Sequence, residues 1–207
     1  MDANERFHQL LKRDLSPLLR AEGFKGSGQT FWRKIDERID VVNVQGSRGG
    51  GKCCINLATH YSFLPLEGGG LVKEPNKFKE YDCVFRARLH DSGESDHWWV
   101  YGRSDAEANV SVDNLIDLFK RRGPQFFARF EPFPQVFERI TPAQLDVGDF
   151  TTMPTKMTLV RAALTLARIM RHLGRVEASR AFAEVGLRHA GSAVGLIPEL
   201  ERLCHAK

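Results

Sequence analysis

Apolar residues at Phe7, Leu10, Leu11, Leu15, Leu18 and Leu19 recur at helical spacing, which predicts an amphipathic helix over residues 4–21. Pro17 falls inside that stripe and predicts a bend or a restart, because proline lacks the N–H and crowds the preceding turn. Gly23 is placed to stop the helix. The period then changes from helical to alternating. Residues 30–35, 38–45 and 53–60 read as three strands. Ile39, Val41, Asn43 and Gln45 share one face of the middle strand, and Asp40, Val42 and Val44 share the other. In the next strand Cys53, Ile55, Leu57 and Thr59 oppose Cys54, Asn56, Ala58 and His60. The connections are short, which predicts antiparallel pairing.

Residues 62–80 carry Gly and Pro punctuation without a period and read as a long loop. A strand is predicted over 82–89, with Cys83, Phe85, Ala87 and Leu89 inward and Arg86 and Arg88 outward. A further strand is predicted over 98–101, with one of Trp98 and Trp99 in the core. Helices follow over about 105–122, 125–130 and 134–140, placing Phe126, Phe127, Phe130, Phe133 and Phe137 on the sheet. Beyond 141–154, read as a linker, the composition turns to Ala, Leu and Arg. Helices are expected over 155–173, 176–190 and 193–204, the first two forming a hairpin similar to a tetratricopeptide unit. The fold class is therefore α+β: an antiparallel sheet of four to five strands in residues 1–140, packed by N-terminal and middle helices, plus a helical extension over 155–207.

Composition adds further constraints. At 42% hydrophobic and 27% charged, the chain can build a core and does not read as disordered. It contains neither a long apolar span nor an apolar signal core at its N-terminus, so a membrane helix and secretion are not expected. The four cysteines show no CxxC spacing, and free thiols in a reducing cytoplasm are the expectation. The net charge of +4 is concentrated late: residues 155–207 hold nine Lys/Arg against four Asp/Glu.

Several constellations bear on chemistry. Gly46 through Lys52 satisfies the GxxxxGK spacing of a phosphate-binding loop. That chemistry needs a Ser or Thr after the lysine and a helix beginning there. Cys53 occupies the first position, and a β-favouring run follows, so a Gly-rich hairpin loop fits better. His90, Asp91, Glu94, Asp96 and His97 crowd one turn, but their spacing matches no established metal site, and a solvated hairpin tip is the simpler reading. Arg86 and Arg88 share a strand face that Asn56 and His60 could join as a patch for an anion, with Asn43 and Gln45 beside it. Arg161, Thr165, Arg168, His172 and Arg175 follow a helical repeat and form a mostly basic stripe that could meet phosphate backbones. No nucleophile elbow or acid–base pair is identifiable, and no cofactor or metal is implied.

The order EGFKGSGQTFWRK, VVNVQGS, INLATHY, YDCVFRARL and WWVY resembles a bacterial family known as domain of unknown function 4304. The resemblance is carried by Gly23, Phe24, Thr30, Phe31, Asn43, Gln45, Ser47, Ile55, Asn56, Leu57, Tyr81, Asp82, Cys83 and Arg86, and covers about residues 5–140. It implies an α+β domain and brings no established activity. The functional expectation is a non-enzymatic binding or protein-interaction module, with a protein partner or a second copy meeting the C-terminal helices. The alternatives are polyanion binding through Arg161, Arg168 and Arg175, and an enzyme acting on an anionic small molecule at Arg86 and Arg88.

Overall fold

The computed structural model describes residues 2–67, 69–70, 74–91 and 96–205. The chain divides into two compact units, Met1–Ala128 and Arg129–Lys207.

In the first unit, helix α1 (Ala3–Leu10) is opened by a capping box between Asp2 and Glu5. A π-helical turn, Leu11–Leu15, leads into α2 (Ser16–Ala21). The extra residue of that turn sits immediately before Pro17, where the α-helical hydrogen bond is lost, so the helix restarts as α2 with the proline in its first turn. Gly23, at φ +82°, ends α2. Its N–H donates to the Arg20 carbonyl at 3.0 Å and the Phe24 N–H donates to that of Leu19 at 2.9 Å, a Schellman closure that needs the left-handed residue. Phe24 is thereby turned into the core.

Among the described residues the sheet has six antiparallel strands, where four to five were expected. They are β1 (Lys25–Ser27), β2 (Thr30–Ile35), β3 (Arg38–Gly46), β4 (Lys52–Tyr61), β5 (Phe85–Arg88) and β6 (Trp99–Val100). The order is β1-β2-β3-β4-β5, with β6 also pairing β4. The register pairs Phe31 with Val42 and Val42 with Leu57, and Leu57 with Ala87, which fixes one face. Its inward residues meet helix α3 (Asp105–Ala128): Phe24 stacks on Phe127 at 5.5 Å, and the Arg33 guanidinium lies over both rings. α3 runs through Pro124, where the sequence predicted two helices, because buried Phe126 and Phe127 extend its packed face beyond the proline.

The opposite face is half covered. Ile39, Val41 and Ala58 lie under Phe78 and Cys83, with Trp32 and Leu66 at the margin. Cys83 therefore belongs to this cover and not with Phe85, since the chain bends at Val84 and breaks the expected alternation. Trp99 is buried and Trp98 is not, as the alternation predicted.

The second unit contains α4 (Gln135–Glu138), α5 (Pro142–Asp146), α6 (Leu159–His172), α7 (Val176–Arg188) and α8 (Ile197–His205). α5 lies within the stretch read as a linker and is started by a capping box between Thr141 and Gln144. α6 and α7 form the hairpin, tied by the Ser179 hydroxyl donating to the Ala167 carbonyl at 2.8 Å. The hairpin also packs against α4, α5 and α8 of the same unit. A methyl group on Gly186 would stand 2.6 Å from a terminal methyl of Leu200 and 3.2 Å from the Ala163 methyl, so α7 packs closely against both α8 and α6 there. Among the described residues no helix is long and apolar enough to cross a membrane.

Candidate ligand-binding cleft at the open end of the sheet

The uncovered half of the sheet face carries a chain of amides. Asn43 and Asn56 are cross-strand partners, as are Gln45 and Cys54. The Asn43 side chain donates to the Gln29 carbonyl at 3.1 Å and to the Thr30 hydroxyl at 3.2 Å. The Asn56 amide donates to Asn43 Oδ1 at 3.3 Å and to Gln45 Oε1 at 2.8 Å. The Cys54 thiol points to Gln45 Oε1 at 3.8 Å. These bonds hold the three amides in one orientation across β2, β3 and β4. Among the described residues the Gln45 –NH₂ group makes no hydrogen bond, and Gln45 is exposed.

Gln45 and Asn56 border a cleft of about 310 Å³ whose other walls are Glu80, Arg86, Ala87 and Arg88. The two arginines differ. Arg88 is held by Asp96 at 2.6 Å and lies 5.2 Å from the Trp98 ring, which Lys52 also approaches, at 4.9 Å. Arg88 and Trp98 hold the Asp96 carboxyl below its usual range. Arg86 makes no hydrogen bond or ion pair among the described residues and is exposed at the cleft. A guanidinium without a partner, beside an amide donor without an acceptor, suits an anionic or acceptor-rich ligand.

A second, wider cleft of about 820 Å³ continues past Gln45. Asn43, Lys79, Glu80 and Tyr81 border it on the same side of the sheet, and Asn4, His8 and Tyr101 border it on the helix side. The Gly-rich loop supplies Ser47, Arg48, Gly50 and Gly51. That loop is the β3–β4 hairpin connection: Gly50 donates to the Ser47 carbonyl at 3.0 Å, and both Gly50 and Gly51 take φ +72°. No helix follows Lys52, which lies in β4, so the loop does not have the form that cradles nucleotide phosphates.

His60, expected beside Arg86 and Arg88, is buried against Leu64 and Phe78 instead. Its Nδ1 accepts from the Val84 N–H at 3.3 Å, and its Nε2–H donates to the Leu64 carbonyl at 3.1 Å. Burial lowers its pKa to about 4, so it is a neutral fastener of the cover.

The turn at 90–97 does not gather metal ligands among the described residues; Glu94 lies outside them. Asp91 accepts from Arg121 and Arg122 at 3.2 and 3.3 Å, and Asp96 from Arg88 and Trp98.

The basic stripe of the second unit is broken up. Arg168 pairs with Glu199 at 3.4 Å and Arg175 with Glu138 at 3.2 Å, Arg175 standing outside α6. Arg161 is exposed and Thr165 is buried. The helix is buried on too many sides to present one continuous polar face.

Sequence periodicity could not assign Arg48, Lys79 and Glu80 to a site. Arg48 was visible only inside a phosphate-loop pattern, and Lys79 and Glu80 lie where no period exists. Tyr101 does follow from the alternation of WWVY, which places it on the face of Trp99.

No curated protein and no solved structure matches the chain. The sequence model of one family, described as Domain of unknown function (DUF4304), matches residues 15–129, a narrower span than 5–140 but more than half of the chain. The match takes in all six strands, the amide chain and both arginines of the cleft. The chain belongs to the DUF4304 family.

Proposed function

We propose that this protein is a non-enzymatic binding module whose ligand site is the open polar end of the sheet, and that the ligand presents a carboxylate or phosphate to Arg86. The observation that carries the reading is the contrast between two neighbouring guanidinium groups at one cleft: Arg88 is neutralised and stacked, while Arg86 has no hydrogen-bond or ion-pair partner among the described residues. A charged group fixed by Asp96 and Trp98 shapes the wall, and a free one is left for an incoming anion.

Binding without turnover is favoured by the state of the nearby thiols. Burial raises the pKa of Cys54, and pushes that of Cys53 up to about 12, so neither is a thiolate at neutral pH. No histidine among the described residues hydrogen-bonds Cys54. The polyanion alternative is disfavoured by the ion pairs that occupy Arg168 and Arg175. Isothermal titration with citrate and with inorganic phosphate tests the reading. Arg86→Gln should weaken binding about tenfold, the equivalent of one charge-assisted hydrogen bond, with the melting temperature unchanged. A triple Arg161→Gln, Arg168→Gln, Arg175→Gln variant should bind like the native chain. Native affinity in Arg86→Gln, or loss in the triple variant, would move the site elsewhere.

A further inference from the structure

β2 ends before β3 does. Thr30 pairs with Asn43, and the last β2-side bond is the Val44 N–H donating to the Gln29 carbonyl at 2.8 Å. β3 continues to Gly46, opposite Cys53. In a strand, each residue directs its N–H and C=O to the same side, and successive residues alternate. Since Val44 faces the β2 side, Gly46 does too, with its N–H and C=O both directed away from β4. The Ser47 N–H, one residue on, donates to the Lys52 carbonyl at 2.9 Å, which confirms the alternation. The sheet therefore offers about 10 Å of strand edge over residues 44–46, and Val44 and Gly46 both border the wider cleft.

Both sides of that edge are walled. On the helix side stand Asn4, His8 and Tyr101; on the other stand Gln45 and the turn of Lys79, Glu80 and Tyr81. Tyr101 is only 4% exposed, its ring 4.7 Å from that of Phe7, yet its hydroxyl has no hydrogen-bond partner among the described residues. A methyl group built on Gly46 would stand 3.4 Å from that hydroxyl, so the phenol lies beside the Gly46 backbone. A groove with a strand edge as its floor and a wall on each face is the form that receives an extended chain. A compact small molecule would leave the paired donor and acceptor of Gly46 unmatched.

We infer that this groove takes an extended, acidic peptide segment, which adds a short strand beside Val44–Gly46. The inference rests on the binding reading above and names its ligand. The main-chain N–H and C=O of one peptide residue answer those of Gly46, and the Tyr101 hydroxyl supplies a further bond. Charge selects the side chains: Arg48 and Lys79 line the groove and Arg86 lines the adjoining cleft, against Glu80 as the acidic member. The turn at Gln29 closes one end, so the segment runs toward the hairpin loop.

The test is a titration of the isotopically labelled full chain with acetyl-(Val-Glu)₃-amide, acetyl-(Val-Lys)₃-amide and citrate, with hydrogen exchange read at each backbone amide. The acidic peptide should bind at least tenfold tighter than citrate and slow exchange of the Gly46 amide at least tenfold. The Val44 amide, already bonded, should change little. Tyr101→Phe, which keeps the buried ring, should weaken the acidic peptide threefold or more and leave citrate unaffected. If citrate and the acidic peptide bind alike without protecting Gly46, the peptide inference is overturned while the binding module stands. Equal binding of the basic peptide overturns the charge selection. Protection of Gly46 that rises with protein concentration alone assigns the edge to a second copy instead. If neither citrate nor either peptide binds, the underlying reading fails with it.

Discussion

Asp40→Asn is expected to destabilise the sheet unit by about 3–5 kcal/mol, the range for breaking one partner out of a buried ionic cluster. Asp40 is fully buried on the helix side of β3. It accepts from Arg33 at 3.0 Å and from the Thr59 hydroxyl at 2.8 Å, and Arg38 lies 3.4 Å away. Burial pushes the carboxyl pKa up while the two guanidinium groups pull it down. Asparagine can keep the Thr59 bond but cannot balance two cations. Arg33 retains the Glu22 carbonyl at 2.9 Å and its two aromatic rings, but both guanidinium groups lose the buried negative charge beside them. Urea unfolding at pH 7 measures the loss. Adding Arg38→Met to Asp40→Asn should recover at least about 1 kcal/mol, the coupling expected of residues in contact. A single-variant loss below about 1 kcal/mol would mean that the cluster is not a unit.

Acidification should open the cover over His60 well before general acid unfolding. The folded pKa is about 4, against about 6.5 in an unfolded chain. Because the folded value is the lower one, the contribution is fully present above pH 6.5 and is lost as pH falls through 4. The loss totals about 3 kcal/mol over that window, with a slope of at most about 1.4 kcal/mol per pH unit. The cause is geometric as well as dielectric. A second ring proton would face the Val84 N–H, which already donates to Nδ1. Urea midpoints between pH 7.5 and 5 should fall for the native chain and flatten for His60→Asn. The ring packs on Phe78 at 5.3 Å, and Lys79 and Glu80 of the cleft wall follow directly. Ligand affinity should therefore weaken over the same pH range. A pH-independent midpoint in the native chain would show that His60 stays solvated.

These two residues also mark how far the sequence could be read. The alternation of residues 38–45 and 53–60 was enough to place Asn43, Gln45 and Asn56 on one face, and the register confirms that face. It placed His60 there as well, correctly for the strand. Whether a side chain on that face meets solvent depends on Leu66 and residues 74–83, which fold over half of it through Phe78 and Cys83. That segment has no period, because its contacts are made by single residues between turns. β1 escaped notice for a related reason: Lys25–Ser27 contains no apolar residue and is defined only by pairing with β2. Pro124 shows tertiary packing overriding local propensity through buried phenylalanines, whereas Pro17 falls in the first turn of α2, the restart that the sequence predicted. The basic stripe of residues 161–175 had the right spacing but acidic partners distant in sequence, Glu138 and Glu199, which no local pattern can reveal.

Arg86, which makes no hydrogen bond or ion pair among the described residues, is expected to anchor the ligand at the open end of the sheet. Nuclear magnetic resonance of the arginine side-chain Nε–H groups, followed while citrate is added, tests it most directly. The Arg86 signal should shift and its exchange with water slow, Arg88 should move little because Asp96 and Trp98 already hold it, and Arg161, Arg168 and Arg175 should not respond. Titration that leaves Arg86 unmoved while the arginines of the second unit shift would contradict it.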